Sequence, residues 1–205
     1  MIPKRIAAIG ASYCEGKVDP EGGGFVGRLR SWHESFIQDN HVFNLGISGD
    51  TTSDMLKRLE KEMKPRKPDL ILVVGGLNDF IRRESKIAKP DNTVEGYEKN
   101  IRDLIAKAKN LAPVLFVGVQ PVDEARTAPV SWENIYYLLS DAKTATDITK
   151  KVCLEMKVPY VDVFGEFMKI DYKKYLADGL HPNSQGHQRI FELVKDKLIG
   201  VYGKN

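Results

Sequence analysis

Short runs of consecutive apolar residues alternate along the chain with longer stretches in which apolar residues recur every three or four positions. Apolar residues on consecutive positions are typical of strands that are buried on both faces of a parallel sheet. The clearest run, residues 70–74, reads Leu-Ile-Leu-Val-Val, and we expect it to be the central strand. The predicted strands are Arg5–Ile9, His41–Leu45, Asp69–Val74, Val114–Val119 and Tyr160–Val163.

The stretches between these runs have the apolar spacing of amphipathic helices. Ser53 and Ser184 precede the apolar positions of two of them and are predicted to be N-cap residues. The predicted helices are Phe25–Gln38, Ser53–Met63, Val94–Asn110, Asn134–Met156 and Ser184–Tyr202.

Strands and helices therefore alternate through the whole sequence, with no low-complexity linker between them. This order predicts a single α/β domain over residues 1–205, with a doubly wound, five-stranded parallel sheet and helices on both faces. In such folds ligands bind at the carboxyl ends of the strands, so the loops that follow the strands are where chemistry is expected.

Composition narrows the function classes without choosing one. The 205 residues include 31 Lys and Arg against 28 Asp and Glu, a net charge of +3 that is too small to indicate a nucleic-acid partner. Cys14 and Cys153 are too few for a disulfide framework and lack the spacing of metal ligands. The first apolar run, Ile6–Ile9, is too short for a signal peptide, and no segment predicts a membrane span. We expect a cytoplasmic protein; its oligomeric state is not indicated.

The predicted strand ends carry a hydroxyl, an imidazole and a carboxylate that suit acyl transfer through a serine nucleophile. Ser12 follows the first strand, and the segment Asp178–Pro182 follows the fifth. A serine hydroxyl needs a base, and the base needs an orienting partner. His181 is the candidate base, and Asp178, three residues earlier, is the candidate orienting group.

A tetrahedral intermediate also needs hydrogen-bond donors for its oxyanion. The backbone N–H of Ser12 is one candidate. The backbone N–H of Gly46 is a second, since glycine permits close approach of the backbone. The side-chain amide of Asn78, after the third strand, is a third candidate.

Other residues could be read as the reactive groups. Ser48 is the rival hydroxyl, although position 50 is Asp and the Gly-x-Ser-x-Gly string of another hydrolase fold is absent. His187 could join Asp178 and His181 in a metal cluster, but the spacing matches no compact zinc motif. The remaining histidines, expected to be surface or packing residues, are His33 and His41.

Four segments at the strand ends resemble, in order, the sequence blocks of the SGNH hydrolase superfamily, the GDSL esterases and lipases. They are Gly10–Ser12, Asn44–Gly46, Gly76–Asp79 and Asp178–Pro182. The resemblance implies a flavodoxin-like three-layer α/β/α sandwich and ester hydrolysis that needs neither a metal nor a cofactor. It implies the roles given above for the Ser, Gly, Asn, Asp and His residues. One departure is Ala11, where the family usually has Asp.

Several functions remain open at this point. The leading hypothesis is a serine esterase acting on a small-molecule ester, which is a short-chain acyl ester, a lipid ester or an acyl ester of a carbohydrate. Thioesterase or lysophospholipase specificity is a variant of this hypothesis. The polar loops 82–92 and 121–131 favour a short acyl group and a polar alcohol. A second hypothesis, suggested by Ala11, is a binding module that has lost its chemistry. A third is a flavodoxin-like nucleotide binder, although no Gly-x-Gly-x-x-Gly follows the first strand. Aromatic residues that could line a substrate groove or simply pack are Trp132, Tyr136 and Tyr137.

Overall fold

A parallel five-stranded sheet forms the middle layer of the protein, in a computed structural model that describes residues 1–19 and 21–203. The strands are β1 (Arg5–Gly10), β2 (His41–Gly46), β3 (Leu70–Val74), β4 (Val114–Val117) and β5 (Tyr160–Val161). They run in the order β2-β1-β3-β4-β5, which is the flavodoxin-like order. The predicted α/β fold with a five-stranded parallel sheet is confirmed.

Helices cover both faces of this sheet, because successive strand residues point to opposite sides. Ala7 and Ile9 of β1 pack in one hydrophobic cluster, and Ile6 and Ala8 pack in another. The first cluster contains side chains from α2 (Thr52–Arg66), α3 (Val94–Lys109) and α4 (Leu139–Glu155). The second contains side chains from α1 (Gly24–Glu34) and α5 (Ser184–Tyr202). The sheet and the helices on its two faces therefore form three layers. None of the helices in the described residues is long and apolar enough to cross a membrane.

Several short elements lie outside the predicted pattern. Arg82–Arg83 pairs antiparallel with Ile135–Tyr136 to form a two-stranded ribbon. The prediction of a helix from Asn134 was therefore wrong at its beginning, and α4 begins only at Leu139. The other short elements are the helical turns Ser12–Glu15, Glu124–Thr127 and Val163–Met168 and the 3₁₀ turns Leu77–Phe80 and Tyr172–Tyr175.

The two predicted N-caps were each misplaced by one or two residues. Thr51 caps α2: its side chain accepts from the backbone N–H of Asp54, whose carboxylate accepts from the Thr51 N–H in return. Asn183 caps α5 and leaves Ser184 inside the first turn, where its hydroxyl donates to Asp19. Serine competes with threonine and asparagine for the same role, so neighbouring capping residues are hard to separate by sequence.

The reversal of strand order beside β1 determines where the loops meet. The chain passes from β1 to β2 on one side and returns to β3 on the other, which leaves a crevice at the carboxyl ends of these strands. The loop after β1 begins with Ala11 and Ser12, and the turn after β3 contains Asn78. The fold therefore places the segments predicted to carry chemistry at one edge.

Candidate active site

Ser12, Asn78, Asp178 and His181 line one cleft at the carboxyl ends of the strands, with a volume of about 510 Å³. Ser12 is the first residue of the helical turn that follows β1, and Asn78 lies in the 3₁₀ turn after β3. Asp178 and His181 come from the loop that leads into α5. Residues separated by up to 169 positions along the chain are thus brought into contact.

A continuous chain of hydrogen bonds joins the serine, histidine and aspartate. His181 Nε2 lies 3.0 Å from Ser12 Oγ, and His181 Nδ1 lies 2.7 Å from Asp178 Oδ2. The other carboxylate oxygen, Oδ1, accepts from the backbone N–H groups of Leu180 and His181 at 2.9 and 2.7 Å. These contacts fix the carboxylate on two sides and orient the imidazole toward Ser12.

The charge state of Asp178 determines the direction of these bonds. Burial raises the pKa of its carboxyl group, but the hydrogen bonds from the His181 ring and from the two backbone N–H groups outweigh that effect and lower the pKa to about 2. The carboxylate is therefore ionised at neutral pH and can only accept hydrogen bonds. His181 Nδ1 must then carry the proton, which leaves Nε2 free to accept from the Ser12 hydroxyl.

The side-chain amide of Asn78 is held from both ends. Its Nδ2 donates to the backbone carbonyl of Asp50 at 2.9 Å, and its Oδ1 accepts from the Tyr137 hydroxyl at 3.0 Å. Asn78 and Tyr137 are 8% and 5% exposed, so this orientation is fixed in a largely dry environment. An amide nitrogen has two hydrogens, and the second one remains available for a ligand.

Gly46 is placed differently from its expected role. Its backbone N–H donates to Asn44 Oδ1 at 3.0 Å, and Gly46 is not among the residues that line the cleft. A Cβ atom at this position would lie 2.2 Å from the backbone nitrogen of Glu15, so the glycine is needed for packing against the Ser12 turn. Its amide is therefore already used when a substrate arrives.

Gly49, three residues further along the same loop, has the properties that were expected of Gly46. It lines the cleft together with Ser12 and Asn78, and within the described residues its N–H has no hydrogen-bond acceptor. Its φ of +89° lies in the left-handed region that favours glycine. The sequence analysis named only Gly46, because the backbone conformation that distinguishes the two glycines cannot be read from residue type.

The rival reactive residues have hydrogen-bond partners outside the Ser12–His181–Asp178 chain, although Ser48 also lines the cleft. The Ser48 hydroxyl donates to the Glu15 carboxylate. His33 Nε2 lies 3.1 Å from the Lys4 carbonyl, and His187 Nδ1 accepts from the Phe25 N–H at 3.2 Å. Both of these histidines are buried, as the packing interpretation predicted. In residues 1–19 and 21–203, no group of three or more His, Cys, Asp or Glu side chains is arranged to hold a metal ion.

Asp79, next to Asn78, ties the β3 turn to the start of α2. Its carboxylate accepts from the Thr52 N–H at 2.8 Å, from the Thr52 hydroxyl at 2.6 Å and from Asn92 Nδ2 at 2.9 Å. These three hydrogen bonds tether the loop that carries Asn78.

Tyr137 and Trp132 were not assigned to the site from sequence. The Trp132 ring stacks on His181, with centroids 6.0 Å apart, and half of its surface stays exposed in the cleft.

The fold and these side chains agree with a match to a protein-family model. Residues 8–189 match the GDSL-like Lipase/Acylhydrolase family, and the chain belongs to that family. It is accordingly a carboxylic ester hydrolase of the GDSL/SGNH type.

Curated relatives extend over most of the chain. An acetylxylan esterase from Geobacillus stearothermophilus is 25% identical over 202 residues, covering 90% of this chain and 89% of that protein. An arylesterase from Vibrio mimicus is 26% identical and covers 79% of this chain and 72% of its own. The thioesterase 1/protease 1/lysophospholipase L1 of Escherichia coli K12 is 27% identical, over 77% of this chain and 66% of its own.

Solved structures have the same fold. A lipase/acylhydrolase from Enterococcus faecalis superposes with a TM-score of 0.78 at 24% identity, covering 96% of both chains. The acetylxylan esterase Axe2 from Geobacillus stearothermophilus superposes with a TM-score of 0.75 at 21% identity, over 95% of this chain and 94% of that one.

Proposed function

We propose that this protein hydrolyses carboxylic esters through an acyl-enzyme formed on Ser12. The observation that carries the proposal is the unbroken hydrogen-bonded chain from Ser12 Oγ through the His181 ring to the ionised Asp178. This arrangement supplies a nucleophile, a base within reach of it and a group that fixes the tautomer of the base.

The reaction proceeds in two half-reactions. Ser12 Oγ attacks the ester carbonyl carbon while His181 Nε2 takes the hydroxyl proton. The tetrahedral intermediate then expels the alkoxide, which receives that proton from His181 and leaves as the alcohol. A water molecule attacks the acyl-enzyme by the same steps, gives its proton to His181, and releases the carboxylic acid and the free serine.

Three donors stabilise the oxyanion in this proposal: the backbone N–H groups of Ser12 and Gly49 and the Nδ2 of Asn78. The Ser12 N–H belongs to the first residue of a helical turn and so has no acceptor within that turn. Gly49 replaces Gly46 because the Gly46 amide is already bonded to Asn44.

The relatives support the reaction class while differing in substrate. Their names cover an acetylated polysaccharide, aryl esters, thioesters and lysophospholipids. A serine-based acyl transfer is common to these, whereas the groups on either side of the carbonyl are not. The finer assignment therefore depends on the shape of this chain's own cleft.

The alternative of a binding module that has lost its chemistry keeps one supporting observation. Ala11 stands at the N-cap of the Ser12 turn, and this turn has no side-chain cap. The two hypotheses differ in whether Ser12 is activated, because only an activated serine reacts with a fluorophosphonate.

Labelling and turnover test the proposal together. We expect a fluorophosphonate to attach to Ser12 when the labelled peptide is mapped, and Ser12→Ala to lower turnover of p-nitrophenyl acetate by at least about 10⁴-fold with unchanged unfolding behaviour. Ser53→Ala, an exposed serine on α2, is the matched control and should retain both properties. A label on Ser48, or full activity of the Ser12 variant, would contradict the proposal.

A further inference from the structure

Two cavities of very different size meet at Ser12, Asn78 and His181. One is the open cleft of about 510 Å³ described above. The other lies between the loops that follow β3 and β4 and has a volume of only about 30 Å³. An ester carbonyl placed at Ser12 has one substituent to direct toward each of them.

The small cavity has walls that are fixed. Tyr13, Val119 and Leu180 contribute to it, and each is at most 6% exposed. Gln120 closes it as well, with its Nε2 donating to the Leu180 carbonyl at 2.7 Å. The Leu180 N–H is in turn held by Asp178 at 2.9 Å. These two hydrogen bonds hold the part of the wall formed by Leu180 in place.

The order of the reaction determines which substituent enters which cavity. The alcohol must leave while the acyl group is still bonded to Ser12, and water must then reach the same place beside His181. A group enclosed behind Ser12 could not leave past the acyl-enzyme. The alcohol therefore occupies the open cleft, and the acyl chain occupies the small cavity.

We propose, on the basis of the function proposed above, that the enzyme is selective for acyl groups of two or three carbons and accepts large alcohols. Since a water molecule needs roughly 10–15 Å³, the small cavity of about 30 Å³ takes about two atoms of similar size, which fits the methyl group of an acetyl ester or the ethyl group of a propionyl ester. The cleft offers the exposed face of Trp132 to a ring in the alcohol. With an acetyl ester, the covalent intermediate is an acetyl group on Ser12 Oγ, and the products are acetate and the free alcohol.

A chain-length series tests this selectivity. We expect kcat/KM to fall by at least about tenfold from p-nitrophenyl acetate to the butyrate and further to the octanoate, since one extra methylene in a closed pocket costs roughly 10–200-fold. Methyl octanoate, which pairs a long acyl chain with a small alcohol, should not be hydrolysed measurably. α-Naphthyl acetate, with a larger alcohol, should be hydrolysed as well as p-nitrophenyl acetate.

A pair of valine variants then tests the wall itself. Val119→Ala enlarges the small cavity and should raise the butyrate-to-acetate ratio of kcat/KM by about tenfold. Val117→Ala removes the same atoms from β4 on the other face of the sheet, where the side chain packs in the second core cluster, and should leave the ratio unchanged.

The outcomes separate this inference from the proposed function. Equal hydrolysis of acetate and octanoate esters, or rapid hydrolysis of methyl octanoate, would show that the acyl chain lies in the open cleft and would overturn the inference alone. An unchanged ratio in a folded Val119→Ala variant would also overturn it. Absence of turnover with every ester, together with no fluorophosphonate labelling of Ser12, would overturn the proposed function and this inference with it.

Discussion

The hydroxyl of Tyr137, a residue that lines the cleft, is a single group whose removal should weaken catalysis through its contact with Asn78. It donates to Asn78 Oδ1 at 3.0 Å, and burial raises the pKa of Tyr137, so that the hydroxyl stays protonated at neutral pH. In our proposal the Nδ2 of Asn78 stabilises the oxyanion. Tyr137 is then a positioning residue that acts through Asn78.

The expected size of the effect follows from the contacts. Tyr137→Phe leaves a buried amide oxygen without this donor, which costs roughly 1–3 kcal/mol. The bond from Asn78 Nδ2 to the Asp50 carbonyl remains, so the amide loses only one of its two anchors. We therefore expect kcat for p-nitrophenyl acetate to fall by about tenfold, against the roughly 10²–10³-fold cost of losing one oxyanion donor in Asn78→Ala.

Steady-state kinetics on the wild type, the two single variants, the double variant and one control variant make the test specific. Tyr137→Phe should lower kcat with little change in KM, and the same substitution should have almost no further effect in an Asn78→Ala background, since its route of action is gone. Tyr136→Phe is the matched control, because that hydroxyl donates to Asn134 Oδ1 at 3.1 Å, away from Asn78. A tenfold loss that persists in the Asn78→Ala background would refute the reasoning.

Two further predictions concern groups outside the reacting atoms. Arg58→Ala should lower the free energy of unfolding by about 3 kcal/mol in urea titrations, because its partly buried ion pair with Asp50 is broken. Arg30→Ala removes an exposed ion pair and should change the free energy of unfolding by less than about 1 kcal/mol. Equal effects of the two substitutions would contradict the argument. Burial lowers the pKa of His187 from 6.5 to about 4. As the pH falls, the unfolded state therefore binds a proton at this residue at a higher pH than the folded state does. The free energy of unfolding should then decrease by about 3 kcal/mol between pH 6.5 and pH 4. His187→Gln should flatten that dependence in unfolding curves measured at pH 7, 5.5 and 4, and an unchanged slope would contradict the assignment.

The sheet, its layers and the side chains of the triad candidates were predictable because each depends on residue identity. Consecutive aliphatic residues indicate a buried parallel strand, whichever helices pack against that strand. The segment after Asn134 was misread because Ile135 has helical spacing with later residues but pairs with Arg83 in a ribbon. Tertiary pairing outweighed the local pattern there, and no signal in a single sequence reports such a partner.

The oxyanion donors that we propose could be derived from the sequence only in part, and the reason is physical. Asn78 would contribute a side chain, and its type indicates its chemistry. A glycine would contribute a backbone N–H, and whether that group is free depends on the local conformation. Gly46 and Gly49 are the same residue type, yet the Gly46 amide is bonded to Asn44 while Gly49 lines the cleft.

Arg58 connects the loops at the strand ends, whose relative positions determine the geometry of the site. Its guanidinium donates to the carbonyl of Gly10, two residues before Ser12, and to the carboxylate of Asp50. The carbonyl of Asp50 in turn accepts from Asn78. A side chain of α2 thus fixes the loops after β1, β2 and β3 relative to one another. Because oxyanion donors must be held to within about 0.5 Å, the rigidity of the site depends on this arginine and on Tyr137 as much as on the groups that would contact the ester.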